Sequence, residues 1–109
     1  MQRLPKLLAA AELGAAAATL YAAPANTRTT ISACSVTNKT GVARLVTITV
    51  TASGGTARNV AYNMSVPAGA TRVVSGALAQ TLEAGGVLAG SADAAGAVDI
   101  VASGYETNP

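Results

Sequence analysis

Residues 42–52, VARLVTITVTA, alternate between Val42, Arg44, Val46, Ile48, Val50 and Ala52 on one face and Ala43, Leu45, Thr47, Thr49 and Thr51 on the other. A period of two with β-branched residues throughout predicts a half-buried strand. Residues 58–66, RNVAYNMSV, repeat the rule, with Val60, Tyr62, Met64 and Val66 expected inward and Asn59, Ala61, Asn63 and Ser65 outward. Between the two runs, Ser53-Gly54-Gly55-Thr56 supplies the positive-φ positions of a tight connection, so the pair predicts a hairpin.

Working outward from that hairpin, the same grammar recurs. Thr19-Leu20-Tyr21 is a short strand stopped by Pro24, and Arg28 to Asn38 is a longer one ended by the turn Asn38-Lys39-Thr40-Gly41. Val66-Pro67-Ala68-Gly69-Ala70-Thr71 is a further turn. Strands are expected at 72–75, near 77–82, at 87–92 and at 98–102, separated by turns at 83–86 and 93–96. Seven or eight short strands with turns about every ten residues predict an all-β chain, a small antiparallel β-sandwich or jelly-roll-like barrel. The expected organisation is an N-terminal arm or short helix over 1–18, where an extended first strand fits the sequence equally well, a β-sandwich domain over 19–106 and a flexible tail over 107–109. The expected core is Val46, Ile48, Val50, Val60, Tyr62, Met64, Val98 and Ile100.

Composition limits the chemistry. Among 109 residues there are 26 Ala against 9 Leu, 3 Ile, 11 Val and no Phe, so the core is built from small side chains. With no disulfide partner for Cys34 and a net charge of only +2, the chain is expected to gain stability by association, as a homo-oligomer or on a larger shell. Only 12 residues are charged, which argues against disorder. There is no histidine, one cysteine and five scattered acids, an inventory that offers no catalytic triad, acid/base pair or metal cluster. No enzyme activity, cofactor site or metal site is expected. Cys34 lies in a Thr/Ser/Val run without a neighbouring cation and reads as a small buried apolar residue.

Individual motifs read as structural. Gly54-Gly55 and Gly85-Gly86 fit hairpin turns, since neither belongs to a phosphate-binding pattern. Asp93 falls in a turn and Asp99 faces outward from a strand. Arg28, Lys39, Arg44, Arg58 and Arg72 are dispersed, with few aromatics to stack on bases, so specific nucleic-acid binding is not expected. Asn38 reads as a strand-ending residue bonded to its own turn. The first 25 residues imitate a secretory signal, with Arg3 and Lys6 ahead of an Ala/Leu run, but Glu12 and Gly14 interrupt it. No segment approaches the ~20 apolar residues of a membrane span.

In order and spacing, several of these pieces resemble a family of small tailed-bacteriophage virion proteins. Leu20-Tyr21-Ala22-Ala23-Pro24-Ala25-Asn26-Thr27 is similar to that family's opening, and Val36-Thr37-Asn38-Lys39-Thr40-Gly41 to its strand-ending asparagine. Val66 to Thr71 resembles its central turn, Leu82-Glu83-Ala84-Gly85-Gly86 its later one, and Ser103-Gly104-Tyr105-Glu106 its close. The likeness spans residues 20–106; this chain departs from it in its higher Ala content and in Gly86, where Asp or Thr is common. The resemblance implies a non-enzymatic virion component, assembled in the host cytoplasm, that contacts copies of itself and the major capsid protein or another virion protein. Capsid decoration (cement), head-fibre and tail or tail-fibre roles are all compatible with it. A secreted adhesin or pilin-like module is the competing expectation.

Overall fold

The computed structural model describes residues 2–78 and 80–108, and among these the chain forms nine strands. They are β1 (Gln2–Glu12), β2 (Ala18–Ala22), β3 (Arg28–Asn38), β4 (Arg44–Thr51), β5 (Arg58–Val66), β6 (Thr71–Val73), β7 (Thr81–Leu82), β8 (Val87–Ala92) and β9 (Val98–Asn108), with a 3-10 turn at Ser75–Ala77. Two antiparallel sheets result. Sheet I has the order β1-β9-β3-β6, with β7 also beside β3; sheet II has the order β2-β8-β4-β5. Because β6 and β7 both pair with β3, at its Asn38 and Arg28 ends respectively, they share one strand position, leaving eight positions in all. Successive strands switch sheets except at the β4–β5 hairpin and between β6 and β7, and this ordering is the double Greek key of a jelly roll.

The core lies between the sheets and follows the alternation. Val46 and Ile48 of β4, Ile31 and Val36 of β3, Leu88 of β8 and Val98 and Ile100 of β9 are all fully buried. Leu13, just past β1, and Val66, Val74 and Leu82 close the ends of the same cluster. Inward glycines let neighbouring strands of one sheet pack closely: a Cβ at Gly90 would sit 2.7 Å from Cδ1 of its register partner Ile48, and one at Gly104 would sit 2.0 Å from the Thr30 carbonyl oxygen of β3, where backbone leaves no room for a side chain.

Several expectations are corrected. Tyr62, expected inward, is 70% exposed. Val46 pairs with Met64 but Ile48 pairs with Ala61, so Tyr62 and Asn63 together face Thr47 alone, with Asn63 at φ 47°. That bulge turns Tyr62 out and Ala61 in, and the alternation reads straight through it. Val50, Val60 and Met64 pack against the core only half-buried, and Val42 and Ala52, on the same face of the 42–52 run, are exposed because they lie beyond the ends of β4. Of the alternatives for the 1–18 segment the helix is excluded and the first strand is found, since β1 pairs along its length with β9 and contributes Leu8 and Ala9 to the core. At the other terminus Thr107 and Asn108 belong to β9, while Pro109 lies outside the described residues.

Two bulges shape sheet I at one level. Leu8 is the extra residue of β1 between Leu7↔Ser103 and Ala9↔Ala102, and Ser32 is the extra residue of β3 between Ile31↔Gly104 and Ala33↔Ser103. Both neighbours of β9 therefore gain a residue beside Ser103. Their outward side chains stay in common rows across the sheet, and the sheet bends there.

Candidate functional site

The five acidic residues all end in ion pairs. Arg28 meets Glu83 at 2.8 Å, and Arg44 lies 3.9 Å from Asp93. Lys39 bridges Glu12 at 2.5 Å and Asp99 at 3.1 Å. Glu12 and Asp99 are direct register partners on β1 and β9, so the ammonium between them relieves a like-charge contact. Those two carboxylates hold the Lys39 pKa above its usual value, chiefly through the hydrogen bond to Glu12 and then that to Asp99. Asp93 and Asp99 are thus held apart by separate cations. Among the described residues no group of three His, Cys, Asp or Glu side chains is placed to hold a metal ion.

The fifth acid anchors a cluster that sequence reasoning missed. Tyr21 of β2 points between the sheets, where its hydroxyl meets Thr29 Oγ1 of β3 at 2.8 Å and donates to Glu106 Oε2 of β9. Lys6 of β1 approaches the same carboxylate oxygen at 3.1 Å, and its ammonium stands 5.8 Å from the Tyr21 ring centroid. One polar knot therefore joins four strands from both sheets. Burial, reinforced by the hydrogen bond to Glu106, pushes the Tyr21 phenol up to about 12. The Tyr21 hydroxyl, and then Lys6, hold the Glu106 carboxyl below its ordinary value. Tyr21 and Glu106 lie 85 residues apart, so no local pattern links them.

Asn38 is fully buried and uses its whole hydrogen-bonding capacity. Its Nδ2 donates to the carbonyls of Val42 at 2.7 Å and Val66 at 3.0 Å. Its Oδ1 accepts from the Thr40 backbone N–H at 2.9 Å and from Thr40 Oγ1 at 2.7 Å. The turn-bonding part is what its sequence position predicts. The bond to Val66 fastens the end of β3 to the end of β5 across the sandwich. Cys34 is buried, and burial raises its thiol to about 11, which leaves it protonated and inert at neutral pH. Gly54 and Gly85, at φ 72° and 85°, occupy turns as expected.

The remaining features are the outer surfaces of the two sheets. The outward rows of sheet I can be read from the strand register. One row is Ala10–Val101–Ser35–Val73, and the next is Leu7–Ser103–Ala33. Val101, Val73 and Leu7 are 48%, 59% and 58% exposed. A shallow groove of about 420 Å³ runs along this face, lined by Pro5, Lys6, Leu7, Ser32, Ser103 and Tyr105 together with the Gly104 backbone. Among the described residues no helix is long and apolar enough to cross a membrane. Compared with protein-family models, with curated proteins and with solved structures, the chain has no match.

Proposed function

We propose that this chain is a non-enzymatic structural component of a tailed-phage virion, an oligomeric capsid decoration (cement) protein. The observation that carries the reading is the strand order, a two-sheet jelly roll, which viral capsid domains also use. That support is an analogy of fold, and it joins the ordered sequence resemblance over residues 20–106. The resembling segments fall at defined places in the fold: Asn38 at the β3 corner, Val66 to Thr71 between β5 and β6, and Leu82 to Gly86 between β7 and β8. The mechanism is burial. A domain with many Ala and few large side chains adds apolar contact by packing an uncharged sheet face onto a neighbour.

A tail or tail-fibre role is the second reading, because the same fold and surface serve either position. The secreted adhesin or pilin-like reading is weaker. Cleavage near Ala25 removes β1 and β2, and with them the buried Leu8, Leu13 and Tyr21. The test is quantitative mass spectrometry of purified particles, separated into heads and tails, from the phage that encodes the chain. Decoration predicts the intact chain on heads at a copy number comparable to that of the shell protein. Enrichment on tails selects the second reading, and a chain truncated by about two dozen residues in the culture medium selects export.

A further inference from the structure

We propose that the outer face of sheet I is a self-association surface, which joins two copies of this chain about a two-fold axis. The inference deepens the homo-oligomer part of the proposed function by naming the surface, the partner and the register.

Three observations carry it. The first is the distribution of charge. The two central rows, Ala10–Val101–Ser35–Val73 and Leu7–Ser103–Ala33, contain no charged residue, and neither does the row Pro5–Tyr105–Thr30–Thr81 beside them. Charge is confined to the ends. At one end stands the row Glu12–Asp99–Thr37–Thr71, with Lys39 beside it; at the other stands Arg28, a register partner of Thr107, with Glu83 paired to it. An uncharged centre within a charged rim is the anatomy of a protein interface.

The second is self-complementarity. A two-fold axis running across the strands, midway between the two central rows, turns one copy end for end on the other. It lays Leu7 on Ala10 of the second copy and Val101 on Ser103 of the second copy, so that large side chains meet small ones in both directions. The charges at the two ends are already paired within each copy, Lys39 with Glu12 and Asp99 and Arg28 with Glu83, so the orientation rests on this large-to-small packing.

The third is area. Four strands about 4.8 Å apart, the longest of 11 residues rising about 3.3 Å each, give a face of about 600 Å². Two copies bury about 1,200 Å² between them, the lower edge of the range for specific, stable interfaces. The contact is thus of a size that forms and dissociates with concentration. The two bulges beside Ser103 leave the rows aligned, and the opposing small residues leave room for close approach.

The experiment is sedimentation velocity of the full chain over a dilution series from high to low micromolar, for wild type, Val101→Lys and Leu7→Lys. Circular dichroism of each variant establishes that it is folded. The expected result is a concentration-dependent dimer in the wild type, with dissociation constants raised about 100-fold or more in both folded variants, because each buries an ammonium without a partner. Three results overturn the inference: a wild-type monomer throughout, folded variants that dimerise as the wild type does, or a monomer whose attachment to phage heads is what Val101→Lys abolishes. The last gives the face to the shell. A dimer that responds as expected, in a chain absent from particles, upholds this surface while removing the virion reading.

Discussion

The outer faces of the two sheets are built on the same strand alternation and carry different chemistry. On sheet II the outward positions of β4 are Leu45, Thr47, Thr49 and Thr51, and those of β8 are Val87, Ala89 and Ser91. Along the middle of that face β4 carries the hydroxyls of Thr47, Thr49 and Thr51, with Thr47 beside Ser91 and Thr49 beside Ala89. On sheet I the corresponding inner strand, β9, presents Val101 and Ser103, flanked by Leu7, Ala33 and Val73. Threonine and valine have nearly the same shape and the same preference for strands, so both sheets form equally well from them. They differ in what water does next. A threonine face keeps its hydroxyls hydrated, whereas exposed Leu7, Val73 and Val101 gain free energy when covered. Sheet II also exposes apolar side chains, Leu45 at 41% and Tyr62 at 70%, but on sheet I Leu7, Val73 and Val101 lie in adjacent uncharged rows.

The strongest way to break the comparison is to remove the sandwich that presents both faces. Ile48 is fully buried on β4 beneath sheet II, packed against the space that Gly90 leaves open. Ile48→Asp places a carboxylate there without a partner, at a cost of several kcal/mol, and no folded state should remain by far-ultraviolet circular dichroism at 25 °C.

Next in size is the corner that fixes the acidic end of sheet I. Asn38→Ala leaves the buried carbonyl of Val66 without its side-chain donor and frees the 38–42 turn. The expected loss is about 2–4 kcal/mol, read as a lower midpoint in urea with an unchanged slope. A loss below ~0.5 kcal/mol would mean that Asn38 only ends a strand and does not fasten the two sheets together.

The opposite end sharpens the comparison through pH. Tyr21→Phe removes the hydroxyl shared by Thr29 and Glu106 and should cost about 1–2 kcal/mol in thermal or urea melts. Glu106 is held below its ordinary 4.5, so the folded state is favoured above that pH and the benefit fades as pH falls through the lowered value. Tyr21 behaves conversely. Its pKa rises from 10.0 to about 12, so its contribution is complete below pH 10 and is lost as pH climbs toward 12. Glu106→Gln should flatten the acid limb of a melting-temperature profile and Tyr21→Phe the alkaline limb. Unchanged limbs in both would place the knot outside the stability of the fold.

Much of this architecture was legible because strand signals are local. The limits of β3, β5 and β8 follow from runs of alternation ended by Asn38, Pro67 and Asp93. β1 was legible only as one alternative to a helix: eleven residues rich in Ala and Leu carry no period of two, and pairing with β9 is what makes them a strand. Tyr62 was misread because a bulge at Asn63 changes phase without changing composition. The Tyr21–Glu106 knot escaped for a third reason, since it depends on strands that the sequence separates and the double Greek key brings together. The rows on sheet I share that cause. Leu7, Val101 and Val73 become neighbours only through register.

The smallest structural change gives the sharpest contrast. Val101 and Thr49 occupy equivalent positions, each facing outward from an inner strand of its sheet, and a lysine at either should alter monomer stability by no more than about 0.5 kcal/mol. The decisive measurement is the melting temperature of Val101→Lys and Thr49→Lys across a hundredfold range of protein concentration. Self-association through sheet I predicts that Thr49→Lys follows the wild type, melting higher as concentration rises, while Val101→Lys melts at one temperature throughout. Equal concentration dependence in the two variants, or none in the wild type, would contradict it.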